Sequence, residues 1–348
     1  MLNAFISTPL ETAQVDRIRA AAAGRVEVIY EPDLLPPVRY RGDHKGVDGY
    51  VRAPEAQERF ARHLVDAHIL FDMPPLHMLP VRDLSFAPNL RWVQTTSSGV
   101  GPVIEALGLK NSGVLVTTAR GVHAVPLAEF AMMAILMHVK DLPRLRADQA
   151  DHRWERRCGE SLVGKRVAII GAGEVGGRVA DVCRFHGMRV AAMSRTLTAR
   201  MGQERGYGEV FTRADLARVA GESDAIVLTV PHTPETDGMI DRTVLAAIRS
   251  DAVFVNIARG SVVDEGALIE ALQARRIGFA ALDVTAVEPL PEDSPLWDLP
   301  NVLISPHSAS TVAQENGLIA DLFMHNMDCL LRDEPERMRN RFDMEAGY

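Results

Sequence analysis

Short apolar runs alternate with longer segments whose apolar residues recur at helical spacing along nearly the whole chain. That alternation predicts an α/β protein built on parallel sheets. In the first third, strands are predicted at residues 2–6, 26–30, 67–71, 90–94 and 114–117. Residues 31–54 are rich in Pro, Gly and charge and read as an irregular excursion. Residues 124–140 predict one long helix, with Ala, Leu and Met at helical spacing and Pro143 ending it. After a polar stretch at 148–161 a stronger alternation begins, with strands predicted at 166–170, 189–193, 225–230, 252–256, 279–283 and 302–305. Helices are predicted between them at 174–186, 214–220, 241–249 and 264–275. Six strands with intervening helices match a Rossmann-type doubly wound sheet. Residues 313–332 form an amphipathic helical segment, and the chain shows no internal repeat or low-complexity tract.

The chain has 348 residues, 47% hydrophobic and 24% charged. At roughly 150 residues per domain this suggests two domains, each large enough for a core of its own. The net charge of -8 argues against a general nucleic-acid binder, which needs a basic surface to replace phosphate counterions. Cys158, Cys183 and Cys329 are too few and too scattered for a disulfide framework. The start of the chain lacks the basic and long apolar regions of a secretory signal. The most apolar window, 126–139, carries Glu129 and falls short of the roughly 20 residues a membrane span needs. A soluble, cytoplasmic protein with neither membrane nor nucleic acid as partner is the expectation.

Chemistry enters at Gly171-Ala-Gly173-Glu174-Val175-Gly176, which follows a β-branched strand and opens a helix. In that context Gly171 allows a tight turn, Gly173 lets the backbone approach a pyrophosphate, and Gly176 lets helix and strand pack closely. The helix N-terminus offers free N–H groups to phosphate. Adenosylmethionine-binding sheets also use glycines here, so the loop by itself leaves the cofactor open. An NAD site usually carries Asp or Glu at the end of the second strand, to bind the ribose hydroxyls. Here Ser194-Arg195-Thr196 stands there instead. Ser194 can donate to a 2′-phosphate and Arg195 can pair with it, so NADP is favoured over NAD.

Three later strand ends carry further candidates. Arg259 follows Asn256-Ile257-Ala258 and offers a planar fork for a carboxylate or carbonyl oxygen. Asp283 and Glu288 follow the next strand, and His307 the last. A histidine there can protonate a carbonyl oxygen as hydride reaches its carbon, and a nearby carboxylate would keep the imidazole charged and oriented. Arg259 and His307 already supply positive charge for a developing alkoxide, so no metal is expected.

The runs GAGEVG, TVPHTPET, NIARG, ALDVTAVEPLP and ISPHSA, in this order and spacing, resemble the D-isomer specific 2-hydroxyacid dehydrogenase family, closest in type to glyoxylate/hydroxypyruvate reductases. The resemblance covers essentially the whole chain. It implies that Arg259 binds the 2-oxo acid and polarises its carbonyl, that His307 is the acid/base, and that Glu288 is its partner. It further implies that Asp283 holds the nicotinamide carboxamide. Thr229, Val230, Pro231 and Thr236, with Ile257 and Ala258, would line the cofactor. Ser98, Gly99 and Val100 would take the substrate carboxylate on their N–H groups. The implied architecture is a flavodoxin-like, discontinuous substrate domain (1–118 and 310–348) closing over a dinucleotide-binding domain (119–309), in a homodimer built around the long helix after His123.

Departures narrow the choice. Gly101-Pro102 stands where many members carry Asp or Asn, and residues 31–54 have no clear family counterpart. The absence of a long C-terminal regulatory extension points away from phosphoglycerate dehydrogenases, and Glu288 points away from formate dehydrogenases, which would carry Gln. The reading is NADP(H)-dependent reduction of glyoxylate or hydroxypyruvate to the D-2-hydroxy acid. Its alternatives are an NAD-dependent dehydrogenase for a bulkier acid and a nucleotide-sensing, corepressor-like protein on the same fold. Beyond these, His232 reads as a loop histidine, His325 and Cys329 as helix packing, and Trp297 as packing beneath the loop before the last strand.

Overall fold

The computed structural model describes residues 1–47, 49–79, 81, 83–345 and 347. The chain forms two compact units, one of Met1–Val122 with Thr311–Tyr348 and the other of His123–Ser310.

In the first unit the strands are β1 (Leu2–Ile6), β2 (Val26–Ile29), β3 (Ile69–Phe71), β4 (Trp92–Gln94) and β5 (Leu115–Thr117). They are all parallel, in the order β2-β1-β3-β4-β5, which is flavodoxin-like. Helices α1 (Thr12–Ala22), α2 (Pro54–Asp66) and α3 (Gly101–Ala106) connect them. The runs read as unbroken apolar stretches because both sheet faces are buried. Phe5 and Leu70 join a core with Phe60 and Leu64 of α2, while Ile6, Ile69 and Phe71 face the opposite one.

Residues 31–54 are irregular apart from a 3-10 turn at Pro32–Leu34, but Pro54 belongs to α2. A proline in a first helical turn sacrifices an N–H that had no partner within the helix. The excursion has a built interior. Buried Asp43 accepts from Arg39 Nε (2.8 Å) and from the N–H groups of Arg39, Lys45 and Gly46 (3.0, 3.1 and 3.0 Å). Burial alone would raise its carboxyl, but Arg39 and these amides hold it far below the usual carboxylate range. Arg52 places its guanidinium 3.6 Å from the centre of the Phe60 ring. Asp48 lies outside the described residues.

The second unit opens with α4 (Ala124–Val139) and α5 (Leu142–Ala150). Here the expectation for Pro143 needs correcting. The long helix stops before Asp141, whose φ of 52° is left-handed, and Pro143 sits in the first turn of α5. The sheet that follows has β6 (Arg166–Ile170), β7 (Arg189–Met193), β8 (Glu209–Phe211), β9 (Ala225–Leu228), β10 (Val253–Asn256), β11 (Phe279–Leu282) and β12 (Val302–Ile304). It is one strand larger than the six predicted, because the three-residue edge strand β8 carries too little apolar pattern to be seen in sequence. The order is β12-β11-β10-β9-β6-β7-β8, all parallel, with α6 (Glu174–Phe185), α7 (Ala199–Glu204), α8 (Leu216–Gly221), α9 (Arg242–Ala247) and α10 (Glu265–Gln273) between strands. Strand order reverses between β6 and β9, and in such a sheet ligands bind beyond the carboxyl ends at that point.

The closing helix, α11 (Glu315–Leu331), returns to the first unit. Its Phe323 stacks on Trp92 with ring centres 4.9 Å apart, and Asn326 Nδ2 donates to Gln94 Oε1 at 3.1 Å. Trp297 does not pack beneath its loop as expected. It is half-exposed and donates its indole N–H to the Pro291 carbonyl at 2.9 Å. Among the described residues no helix is long and apolar enough to cross a membrane.

Candidate active site

The β6–α6 turn is shaped by what its glycines lack. Gly171 has a φ of +116°, open to glycine, and a Cβ there would come within 3.0 Å of Thr229 Oγ1. A Cβ on Gly176 would lie 1.9 Å from the Gly171 carbonyl oxygen, so helix and strand approach this closely only without one. A Cβ on Gly173 would meet nothing within 4 Å. The space over the loop is therefore open just where the N–H groups of Gly173, Glu174 and Val175 begin α6, and these residues fit a pyrophosphate. Thr229, from the end of β9, locks the turn by donating its hydroxyl to the Gly171 carbonyl at 2.7 Å. Next to it Val230 is buried and Pro231 exposed, and the Pro231 carbonyl accepts from Thr236 Oγ1 at 2.7 Å.

At the end of β7 the Ser194 hydroxyl oxygen accepts from the N–H groups of Thr196 (3.2 Å) and Leu197 (3.1 Å). Both bonds use the oxygen as acceptor, and in its third contact, with Thr196 Oγ1 at 3.5 Å, either hydroxyl can donate, so the Ser194 proton can turn to an anion. Arg195 and Thr196 are exposed, with Arg195 Nη1 2.5 Å from Glu235 Oε2. Arg213, after β8, donates to the Glu235 carbonyl. The donor set is cationic and hydroxylic, and it suits a phosphate better than a diol.

Three neighbouring parallel strands, β10, β11 and β12, end in step at Asn256, Leu282 and Ile304 and release the remaining candidates at one sheet edge. Beyond β10, Asn256 donates Nδ2–H to the Arg259 carbonyl (3.1 Å) and accepts from Ala258 N–H (3.0 Å), fixing the turn that carries Arg259. Ile257 and Ala258 are buried, and Arg259 is half-buried. Beyond β11, buried Asp283 accepts on Oδ1 from Ser305 Oγ (2.7 Å) and from the N–H groups of Ser308 and Ala309 (2.9 Å each). Its backbone carbonyl takes the His307 N–H at 2.8 Å. His307 is thereby held at a φ of 53°, a left-handed conformation uncommon for a residue with a side chain. Its Nδ1 lies 2.7 Å from Glu288 Oε2, while Glu288 Oε1 accepts from Thr285 N–H at 3.2 Å. The ring is oriented through Nδ1, so Nε2 is the nitrogen that can deliver a proton.

Ser98, Gly99 and Val100 lie in the other unit, after β4. Ser98 and Gly99 are exposed, whereas Val100 is buried, its carbonyl accepting from Val103 and Ile104 N–H at 3.0 Å each. His232 pairs with Asp237 at 2.9 Å, and the Cys329 Sγ to His325 Nε2 distance is 3.8 Å within α11. The supporting contacts of Asn256, Ser305 and Thr285 escaped sequence reasoning: Ser305 meets Asp283 only in the fold, and Asn256 and Thr285 bond within turns whose shape no residue pattern announces.

Residues 132–309 match the family model described as D-isomer specific 2-hydroxyacid dehydrogenase, NAD binding domain. A glyoxylate reductase of Aeropyrum pernix is 33% identical over 273 residues, spanning 74% of this chain and 78% of that protein. A D-3-phosphoglycerate dehydrogenase of Archaeoglobus fulgidus is 33% identical over 230 residues, 66% of this chain but only 43% of the longer enzyme. Among solved structures, a D-isomer specific 2-hydroxyacid dehydrogenase from Xanthobacter autotrophicus Py2, in complex with NADPH and MES, superimposes with a TM-score of 0.74 at 27% identity. That match covers 100% of this chain and 99% of the other.

Proposed function

The chain belongs to the D-isomer specific 2-hydroxyacid dehydrogenases, NAD(P)-dependent oxidoreductases, and from that premise we propose that it reduces glyoxylate or hydroxypyruvate to the D-2-hydroxy acid with NADPH. The observation that carries this reading is the 2.7 Å bond between His307 Nδ1 and Glu288 Oε2. A carboxylate there stabilises the imidazolium, keeping an acid ready on Nε2. NADPH, when bound, supplies hydride to the carbonyl carbon. Gly171, Gly173, Glu174, Val175 and Gly176 would hold its pyrophosphate, Ser194, Arg195 and Thr196 its 2′-phosphate, and Asp283 its carboxamide. Thr236, Val230, Pro231, Ile257 and Ala258 would line it.

Arg259 binds the 2-oxo acid and draws charge toward the carbonyl oxygen, lowering the barrier by preorganised positive charge. His307 then gives its Nε2 proton to that oxygen while Glu288 holds the ring. The N–H groups of Ser98, Gly99 and Val100 take the substrate carboxylate. The proposal includes a cytoplasmic homodimer built around α4, whose Val125 and Met133 are exposed in the single chain. The test is kcat/KM with NADPH and with NADH across glyoxylate, hydroxypyruvate and bulkier 2-oxo acids. We expect the two small acids to lead, with NADPH preferred by about 10- to 100-fold, as one charge-assisted bond to phosphate can give. Preference for NADH would overturn the cofactor assignment, and no turnover of any 2-oxo acid would overturn the reading.

A further inference from the structure

One contact ties the loop that carries Arg259 to the loop that carries Glu288, and none of the catalytic groups makes it. The Thr285–Ala286 peptide lies directly on Gly260, so that a Cβ there would sit 1.9 Å from the Thr285 oxygen, 2.0 Å from its carbonyl carbon and 2.5 Å from Ala286 N. Gly260 is buried, its φ is not left-handed, and the bare Cα is needed for space rather than for backbone freedom. The same peptide is held by a side chain as well: Glu265 Oε2 accepts the Ala286 N–H at 2.7 Å. Thr285, one residue earlier, donates its own N–H to Glu288 Oε1 at 3.2 Å and its hydroxyl to the Val287 carbonyl at 2.8 Å.

Resting on the function proposed above, we propose that Gly260 and Glu265 are positioning residues: together they clamp the Thr285–Ala286 peptide and so set where Glu288 presents its carboxylate to His307. An ordinary role is available to Glu265, as an acid in the first turn of α10. That role does not need the Ala286 N–H, and the helix is capped independently by Asp264, whose side chain accepts from Ala267 N–H at 3.0 Å. Replacing Glu265 therefore leaves the cap of α10 intact while releasing one side of the clamp. With the peptide free to move, Glu288 shares its carboxylate less steadily with Nδ1, and the imidazolium loses support. In the reducing direction the acid form of His307 is the active one, so loss of support moves the fall in rate to lower pH.

The test is an imidazole NMR titration of the free protein labelled in its 11 histidines, with the His307 signals identified by their absence in His307→Ala. Glu265→Ala, Glu265→Gln and Glu288→Gln are compared with the native protein. Glutamine keeps a side-chain acceptor for Ala286 N–H while removing the charge, which separates the clamp from a long-range electrostatic effect. We expect Glu288→Gln and Glu265→Ala each to lower the His307 midpoint, and Glu265→Gln to restore it. With glyoxylate and NADPH, Glu265→Ala should lower kcat by about 10- to 100-fold, the cost of slight misplacement of catalytic groups, with KM for the cofactor unchanged. If Glu288→Gln lowers the midpoint and Glu265→Ala does not, or if glutamine shifts it as far as alanine, the clamp is wrong and the pairing of His307 with Glu288 stands. If Glu288→Gln leaves the midpoint in place, the pairing fails and the clamp falls with it.

Discussion

In the function proposed here, selectivity between the two nicotinamide cofactors is carried at the end of β7 by Ser194 and Arg195. The ion pair of Arg195 with Glu235 is exposed on both sides, at 62% and 68%, so it is worth little and yields easily to a doubly charged phosphate. Arg195→Ala should therefore weaken NADP⁺ binding about 10- to 100-fold and leave NAD⁺ nearly untouched, as read by fluorescence titration of each cofactor. Equal losses for both would remove Arg195 from the 2′-phosphate site. The position of Ser194 and Arg195 could be read from sequence because a β-branched strand and a glycine loop count out where the second strand must end. Glu235 could not, since 40 residues separate it from Arg195 and only folding brings them together. The same holds for Ser305, which bonds to the Asp283 carboxylate, and for Glu265, which takes the Ala286 N–H, each 21 or 22 residues away along the chain.

Single elements were legible in proportion to their apolar content. β6 and β7 begin and end where the sequence predicts, because each is a run of five opened by an arginine and closed by a following glycine or serine. β8 has three residues, Glu-Val-Phe, and at a sheet edge nothing demands more. Proline misled at position 143, where a breaker of one helix turned out to begin another. The irregular stretch 31–54 is organised by Asp43 rather than by apolar periodicity, which is why its pattern says so little. Its depressed carboxyl makes that organisation sensitive to acid. The contribution is complete well above the unfolded carboxyl value of about 3.9, falls away as the pH drops below that value and the unfolded chain takes up the proton, and is gone only once the pH has passed through the far lower native value. Asp43→Asn should destabilise the protein by about 1–3 kcal/mol at neutral pH, with the difference from the native chain shrinking in urea melts below about pH 4. A difference independent of pH would mean that the carboxylate charge is not what pins the excursion.

At the scale of the whole molecule, the α/β class and the doubly wound sheet follow from alternation alone, while the roles proposed for Arg259, Glu288 and His307 came from motif order. No periodicity marks a strand end as catalytic. What the fold adds is that β10, β11 and β12 are neighbours ending in register, so residues spread over 49 positions, from Arg259 to His307, leave one sheet edge. The central claim of the proposed function is that a proton is delivered from His307 Nε2, with Nδ1 held by Glu288, as the carbonyl carbon is reduced. The most direct measurement is the single-turnover rate of NADPH oxidation on mixing the preloaded enzyme with hydroxypyruvate, for the native protein and for His307→Ala. The account predicts a loss of about 10²- to 10⁴-fold in that rate with NADPH affinity unchanged. A variant that turns over as fast as the native enzyme would contradict it.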